Sequence, residues 1–217
     1  MFSNNTETPT DDLAKIDEWK KIIQDKLMPK IIECGTGLEG NIYSLNNHTE
    51  YYNYFLSKQR NISLCGTNLY QDSEMLEIGF NSGFSALLLL LSSHPSVKIT
   101  CVDINYHHYT IPCFNIIKEL FPDRIEILLG SSVDVLPKLT KKYDLIHIDG
   151  CHRSEIAEID IKNSLSLINN NGIMIMDDID YKDLNIIWNK YVDNYNLIDV
   201  DFEIYNCKFH SIKKYIR

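Results

Sequence analysis

The sequence predicts an α/β fold in which a doubly wound, mostly parallel sheet of seven strands carries helices on both faces. In the middle of the chain, short apolar runs of strand-like length alternate with segments whose apolar residues repeat at helical spacing. This alternation is typical of right-handed crossover units and a parallel sheet. The bound ligand of such a sheet lies beyond the carboxyl ends of the strands. Four of the predicted strands end at a carboxylate, and these residues are Glu77, Asp103, Asp149 and Asp177.

The periodicity of the chain bounds most elements of the sheet. Strands are predicted at 97–103, 124–129, 143–149 and 173–177, and helices at 85–91, 110–120, 154–167 and 183–194. We expect the helix before the last of these strands to close at Gly172, because glycine readily adopts the conformation of a helix carboxyl end. Residues 197–205 and 208–216 also resemble strands. The two-residue link between them permits only an antiparallel hairpin.

The amino-terminal part of the chain is predicted to be helical and to precede the sheet. Residues 1–10 are polar and expected to be disordered. A helix is predicted from Asp11, and Pro29 should interrupt it because proline lacks a backbone N–H. A glycine-rich loop at 35–47 leads to a second helix, whose tyrosines either pack in the core or face a substrate; they are Tyr51, Tyr52 and Tyr54.

We therefore expect one domain, in which residues 11–70 form a helical cap and residues 71–217 form the ligand-binding core. The formal charge of −9 argues against a broad nucleic-acid surface, since such surfaces are rich in Lys and Arg. No apolar stretch reaches the roughly 20 residues that cross a bilayer, and the polar, acidic start does not resemble a signal peptide. The six cysteines form no Cys-x-x-Cys pair. Free thiols and a cytoplasmic location are therefore expected.

The turn after the first strand is the most informative stretch, and it reads Glu77-x-Gly79-x-x-x-Gly83-x-Ser85. Asn81 stands where a dinucleotide-binding turn requires its middle glycine. Glycine lets the backbone approach a ligand closely, and the helix that begins at Ser85 offers free N–H groups to an anion. A carboxylate at Glu77 suits a cationic ligand group. The turn resembles motif I of class I S-adenosylmethionine-dependent methyltransferases, closest to the catechol O-methyltransferase type.

This resemblance implies a Rossmann-like fold and S-adenosylmethionine as the cofactor. Asp103 can accept hydrogen bonds from both ribose hydroxyls, a role that an acidic residue also has in dinucleotide folds. The segment from Gly130 to Asp134 resembles the one that holds adenine in catechol-type enzymes, with Ser132 bonded to an adenine nitrogen. Alternatively, Ser131 or Ser132 caps the following helix. The expected cofactor contacts are Glu77, Gly79, Asn81, Gly83, Ser85, Asp103, Ser131, Ser132 and Asp149.

Three carboxylates at the ends of two neighbouring strands form an oxygen-only cluster that suits Mg²⁺. They are Asp149, Asp177 and Asp178. Buried carboxylates need such a counter-charge. Catechol O-methyltransferases and the macrolide-sugar O-methyltransferases of the macrocin and mycinamicin type place metal ligands at these points, so the resemblance implies that all three residues hold Mg²⁺. His147 is predicted to be a core histidine.

His152 and Asp149 are the candidate catalytic residues. The sugar enzymes carry a histidine, and the catechol enzymes a lysine, as general base at the position of His152. The alternative is that His152 only caps the following helix. We therefore expect a Mg²⁺-dependent O-methyltransferase that acts on a small molecule, with a sugar or glycoconjugate favoured by His152.

Three other functions stay open on the sequence. They are an NAD(P)-dependent oxidoreductase on a Rossmann fold, a non-catalytic S-adenosylmethionine-binding protein, and a methyltransferase that uses no metal. The missing middle glycine and the Asp177-Asp178 pair count against the oxidoreductase. Neither a nucleic acid nor a membrane is expected as a partner. A homodimer agrees with the resemblance, because related enzymes are often dimers.

Overall fold

The fold is described here from a computed structural model, which covers residues 9–35, 37–40 and 49–217, with side chains at 13–35, 37–40, 53 and 55–217. The disorder predicted for residues 1–10 lies outside these described parts at residues 1–8, whereas Pro9 and Thr10 belong to the first helix. Most of the loop at 35–47 and the alternative roles of Tyr51, Tyr52 and Tyr54 also lie outside them. None of the helices in the described ranges is both long and apolar enough to cross a bilayer.

A seven-stranded sheet in the order β3-β2-β1-β4-β5-β7-β6 forms the centre of the molecule. The first five strands in the chain are parallel, and β7 runs antiparallel to both β5 and β6. The predicted fold class is confirmed. The strands are β1 (Glu74–Ile78), β2 (Lys98–Asp103), β3 (Ile125–Leu129), β4 (Tyr143–Ile148), β5 (Ile168–Met176), β6 (Leu197–Ile198) and β7 (Ser211–Tyr215).

Helices cover both faces of this sheet. They are α1 (Pro9–Ile22), α2 (Met28–Glu33), α3 (Thr49–Thr67), α4 (Phe84–Ser92), α5 (Thr110–Leu120), α6 (Ser132–Val135), α7 (Ser154–Leu167) and α8 (Lys182–Asn194). Alternate strand residues face opposite sides, so Met75 packs in one apolar cluster with α1 to α5, whereas Leu76 packs in the other with α7 and α8. The helical cap therefore shares a face with α4 and α5.

The predicted carboxyl-terminal hairpin is correct in direction but wrong in length. Residues 199–210 form a long connection between β6 and β7 instead of a tight turn. The side chain of Asn61 on α3 explains this, because its amide nitrogen donates to the Tyr205 carbonyl at 2.8 Å and its oxygen accepts from the Tyr205 N–H at 2.7 Å. The N–H and carbonyl groups of Tyr205 thus have their hydrogen-bond partners on α3 and not on a second strand.

Two further boundaries differ from the prediction. Pro29 does not end the first helix, because residues 23–27 form a π-helical turn and Pro29 then lies in the first turn of α2, where its missing N–H is tolerated. The wider turn keeps Ile23 and Leu27 buried. After α7, the left-handed residue is Asn171, with a φ of 66°, and not Gly172.

The turn between β1 and α4 brings two chain segments into direct contact. Gly79 has a φ of 94°, and a Cβ atom there would lie 2.0 Å from the Asp149 carbonyl oxygen. Gly83 has a φ of 77°, and a Cβ atom there would lie 2.4 Å from the ring of Phe80. Any side chain at either position would therefore displace its neighbours, and the loop after β4 could not approach β1 as it does.

Asp160 on α7 lies beneath the loop that follows β4. Its side chain is buried, and neither of its oxygens has a hydrogen-bond partner among the described residues. Burial raises its pKa from 3.8 to about 6, and the side chain of Ser132 offsets only part of that rise. The ionised form of Asp160 is therefore unfavourable in the folded protein.

Substitution of Gly79 by alanine should lower the free energy of unfolding by roughly 2–4 kcal/mol, since it combines backbone strain with a backbone clash. Chemical denaturation measures this difference. Gly40→Ala gives the effect of strain alone, because Gly40 has a φ of 72° and no described atom would lie within 4 Å of a Cβ there, and Gly37→Ala gives the baseline. Equal stability of the Gly79 and Gly37 variants would contradict the close approach to Asp149.

Asp160→Asn should stabilise the protein at pH 7 but not at pH 4. The pKa of Asp160 is about 6 in the folded protein against 3.8 in the unfolded chain, so the folded protein retains this proton to a higher pH. The stability that protonation of Asp160 contributes is complete below pH 3.8 and is lost as the pH rises to about 6. The variant should gain up to about 3 kcal/mol over the wild type across the window. Urea unfolding at both pH values tests this, with the exposed Asp193→Asn as control; a gain independent of pH would refute it.

Candidate active site

A broad cavity opens at the carboxyl edge of the parallel strands. One side is lined by the β1–α4 turn, by Asp103 at the end of β2 and by Ser132 at the start of α6. The opposite side is lined by Lys58 of α3 and by Phe209 of the β6–β7 connection. The cavity therefore lies between the sheet edge and the helical cap, where the sequence placed the site.

Asp103 is held in a fixed orientation by the backbone. The N–H of Asn81 donates to its Oδ2 at 2.8 Å, and the N–H of Asn105 donates to its Oδ1 at 2.6 Å. The side chain of Asn81 accepts a hydrogen bond from the Tyr109 hydroxyl at 2.7 Å. Each carboxylate oxygen of Asp103 can accept a further bond, so the residue can receive two hydroxyl groups from the cavity.

The serines predicted at the site also border the cavity. Ser85, Ser131 and Ser132 are all part of its lining. Ser131 occupies the N-cap position of α6, but its hydroxyl makes no capping hydrogen bond. The alternative that Ser131 serves as a helix cap therefore receives no support, and its hydroxyl can face a ligand.

Two of the predicted contacts, Glu77 and Gly83, are buried beneath the cavity lining. Oε1 of Glu77 lies 3.2 Å from Nδ1 of His147, and its Oε2 accepts a bond from Cys101 at 3.7 Å. In this structure Glu77 therefore has its partners inside the protein. Gly83 is likewise buried under Phe80, and its role is conformational. Gly79, Asn81 and Asp149 do line the cavity.

His147 is a core histidine, as predicted, but it links Glu77 to the carboxylate cluster. Its side chain is fully buried, and its Nε2 has no hydrogen-bond partner in the described structure and lies 4.0 Å from Oδ2 of Asp177. Burial alone would lower the pKa of His147, but the bond to Glu77 and the charges of Asp149 and Asp177 raise it. These neighbours thus favour the protonated form of the imidazole, which lies beneath the cluster.

The three carboxylates predicted to bind a metal fall into two groups, in which Asp149 lies close to Asp177 in one and close to Asp178 in the other. Asp177 is buried; its Oδ1 accepts the Asp178 N–H at 2.9 Å, and its Oδ2 forms an ion pair with Lys58. Burial would raise the pKa of Asp177, yet the Lys58 charge holds it at about 2. For Asp149, burial and the charge of Asp177 raise the pKa well above its ordinary value.

Lys58 was missed by the sequence analysis, although the sequence contains a signal for it. On α3 it follows Phe55 by three positions and precedes Ile62 by four, so the three residues share one face of the helix. Ile62 is buried, and Lys58 is only 15% exposed. A lysine on the inward face of a helix needs a buried carboxylate, which here is Asp177.

His152 lies at the mouth of the cavity beside Asp178. Its Nε2 is 2.6 Å from Oδ2 of Asp178, and its ring lies 5.0 Å from that of Tyr181, measured between centroids. The hydrogen bond to Asp178 raises the pKa of His152. The alternative helix-capping role receives no support, because the N-cap residue of α7 is Arg153 and no side chain caps it.

The donor set fits a hard divalent cation, with one reservation that comes from Lys58. Possible ligand atoms of His147, Asp149 and Asp177 lie within 4.8 Å of one another, and so do those of Asp149, His152 and Asp178. Asp149 belongs to both groups. Carboxylate oxygens are the preferred ligands of Mg²⁺. Asp177, however, already has a cation partner.

The side of the cavity that faces the cap is aromatic. The rings of Phe55 and Phe209 lie 5.0 Å apart between centroids, and Trp19 and Tyr181 also border the cavity. The side-chain oxygen of Gln59 is buried there without a hydrogen-bond partner among the described residues. This wall can therefore hold an apolar or ring-shaped molecule and offers it one acceptor.

Comparison with known proteins agrees with this geometry. A family model described as a methyltransferase domain matches residues 76–179. Catechol O-methyltransferase of Mycobacterium tuberculosis is 26% identical over 110 residues, which are 50% of this chain and 49% of that protein. Catechol O-methyltransferase of Mus musculus is 31% identical over 80 residues, which are 37% of this chain and 30% of that protein. The matched stretch thus spans less than half of either relative.

The fold extends the similarity beyond the matched stretch. The crystal structure of cofactor-bound Rv0187 from MTB superimposes with a TM-score of 0.63 at 15% identity, and the alignment covers 87% of each chain. At this identity the likeness concerns the fold. Residues 76–179 are thus similar in sequence to a methyltransferase domain, and the chain shares its fold with the cofactor-bound Rv0187 structure.

Proposed function

We propose that this protein transfers a methyl group from S-adenosylmethionine to an oxygen atom of a small molecule. The observation that carries the proposal is that the His152–Asp178 pair and the Asp103 turn face the same cavity, so that a proton acceptor and a nucleoside site lie side by side. The similarity to two catechol O-methyltransferases supports transfer to oxygen.

The proposed cofactor would lie along the β1–α4 turn. Asp103, already held by two backbone N–H groups, would accept the two ribose hydroxyls. Ser132 would bond to the adenine, and the backbone of Gly79, which lines the cavity, would border the amino-acid end of the cofactor. When bound, S-adenosylmethionine supplies an electrophilic methyl group on a sulfonium centre. The protein would hold the acceptor oxygen in line with it, which supplies much of the rate enhancement.

His152 would take the proton of the acceptor hydroxyl. Because Nε2 is bonded to Asp178, the neutral imidazole carries its hydrogen there and presents Nδ1 as the free base. Asp178 would fix this tautomer and stabilise the imidazolium that forms, as the carboxylate of a catalytic triad does. The ring of Tyr181 against His152 limits the rotation of the imidazole.

The proposal includes Mg²⁺ held by Asp149, Asp177 and Asp178. A bound ion of this kind orients two acceptor oxygens and lowers the pKa of the attacking hydroxyl. The raised pKa of Asp149 supports it, because this carboxylate gains most from an added positive charge. For the acceptor we propose a sugar or another small molecule with neighbouring hydroxyls, seated against the aromatic wall of Phe55 and Phe209.

Calorimetry tests the identity of the cofactor. S-adenosylmethionine and, in a parallel experiment, NAD are titrated into the purified protein, each with and without Mg²⁺. We expect micromolar binding of S-adenosylmethionine and none of NAD. Asp103→Asn should weaken binding at least tenfold, which corresponds to about 1.4 kcal/mol. Asp134→Asn, on the exposed side of α6, is the matched control. Heat from NAD alone, or from neither ligand, would refute the proposed cofactor.

Replacement of His152 by alanine should lower turnover by about 10²–10⁴-fold, since a positioned general base contributes that much. Affinity for S-adenosylmethionine should change by less than about twofold, because His152 lies on the acceptor side. Formation of S-adenosylhomocysteine with a panel of sugars and catechols measures turnover. His94→Ala is the control, because the imidazole of His94 is exposed and contacts Ser96 at the surface. Equal turnover in wild type and His152→Ala would remove His152 from the mechanism.

A further inference from the structure

The ion pair between Lys58 and Asp177 joins the helical cap to the carboxylate edge of the sheet. Lys58 comes from α3, whereas Asp177 follows β5, 119 residues later in the chain. The side chains are 15% and 1% exposed, so both charges are largely removed from water. A buried pair of this kind is costly to form and still more costly to break. Its place beside the proposed metal ligands therefore calls for a role.

Both oxygens of Asp177 already have a partner in this arrangement, and the partner of Oδ2 is a cation. Its Oδ1 accepts the Asp178 N–H, and its Oδ2 contacts the Lys58 ammonium. The imidazole of His147 lies on the same Oδ2 side at 4.0 Å. A divalent cation that binds Asp177 must therefore either displace the Lys58 ammonium or lie close to it, with repulsion between the two positive charges.

Lys58 also acts on the other two carboxylates. The charges of Asp149 and Asp178, together with that of Asp177, raise the pKa of Lys58 although burial lowers it. The ammonium group therefore stays charged and neutralises part of the three negative charges. The same negative charges would attract a divalent cation. By neutralising part of them, Lys58 weakens the electrostatic attraction between the carboxylates and the metal ion.

We infer that Lys58 is a resident cation of the carboxylate cluster and competes with a divalent metal ion for Asp177. This inference rests on the proposed function, because it concerns the metal site of the proposed transferase. Lys58 sets the metal affinity: with its ammonium on Asp177 the metal is held weakly, and the metal gains its third carboxylate only when Lys58 withdraws. Because Lys58 shares a helix face with Phe55, its withdrawal also alters the acceptor wall.

Binding of Mn²⁺, followed by electron paramagnetic resonance of the free ion, tests the competition in the full chain. Lys58→Met should bind Mn²⁺ at least tenfold more tightly than the wild type, because the competing charge is gone. Lys58→Arg, which keeps the charge, should remain within about threefold of the wild type. Lys214→Met is the matched control, since Lys214 is 20% exposed and also ion-paired, with Asp201. It should leave the affinity unchanged.

A second measurement uses the wild type alone and stands even if Lys58→Met does not fold. Saturating Mn²⁺ should increase the rate of Lys58 acetylation by an amine-reactive ester several-fold, as seen by peptide mass spectrometry, while Lys214 reacts at a constant rate. The inference is overturned if Lys58→Met binds Mn²⁺ no more tightly, if no protein binds Mn²⁺ at millimolar concentration, or if Lys58 reactivity does not rise. These outcomes differ from a failure of the proposed function, in which the wild type would not bind S-adenosylmethionine in the calorimetric titration.

Discussion

Negative charge is concentrated at one edge of the sheet, and the side chains around that edge are arranged by the need to compensate it. Three carboxylates at this edge, of which Glu77 and Asp177 are buried and Asp178 is half-buried, each have a partner from a different part of the chain. Glu77 faces His147 of β4, Asp177 holds Lys58 of α3, and Asp178 contacts His152 of the loop after β4. Asp149 alone has no such partner among these groups, and its pKa is raised accordingly. Lys58 thus supplies a positive charge at this edge, and Asp149 is left without an ion-pair partner of its own among these groups.

The same edge is drawn together by backbone contacts. The β1–α4 turn touches the loop after β4 at Gly79, and its Asn81 N–H fixes Asp103 of β2. Three loops that follow three different strands thus form one rigid rim. Because the rim carries both the proposed ribose acceptor and Asp149, donor and acceptor substrates would meet there without a large rearrangement of the core.

Much of this architecture could be predicted from the sequence, since it depends on local signals. The limits of α5 and α7 follow from apolar spacing, and the strand-end carboxylates follow from the alternation of strands and helices. What could not be predicted depends on contacts between distant segments. The β6–β7 connection looks like two strands until Asn61 satisfies the backbone of Tyr205. Glu77 looks like a ligand contact until His147 is found beside it.

The proposed metal site shows the same division. The sequence indicates its three carboxylates through motif and resemblance, because Asp149 directly follows β4 and Asp177 and Asp178 directly follow β5. Lys58 lies 119 positions before Asp177, and only the docking of α3 reveals that it reaches the cluster. Its helical spacing from Phe55 and Ile62 indicates that Lys58 lies on the inward face of α3. Periodicity does not show, however, which element of the fold this face packs against.

The position of the Phe55–Phe209 wall has a consequence for how such a protein can diversify. The family match covers residues 76–179, whereas Phe55 lies before that stretch, on α3, and Phe209 lies after it. Asn61 fastens these two outlying segments to each other. The half of the cavity around the glycine turn is thus encoded by one continuous stretch, and the opposite wall by its flanks. Substitutions in the flanking segments can then change the proposed acceptor wall of Phe55 and Phe209 while residues 76–179, which form the proposed cofactor half of the cavity, stay the same.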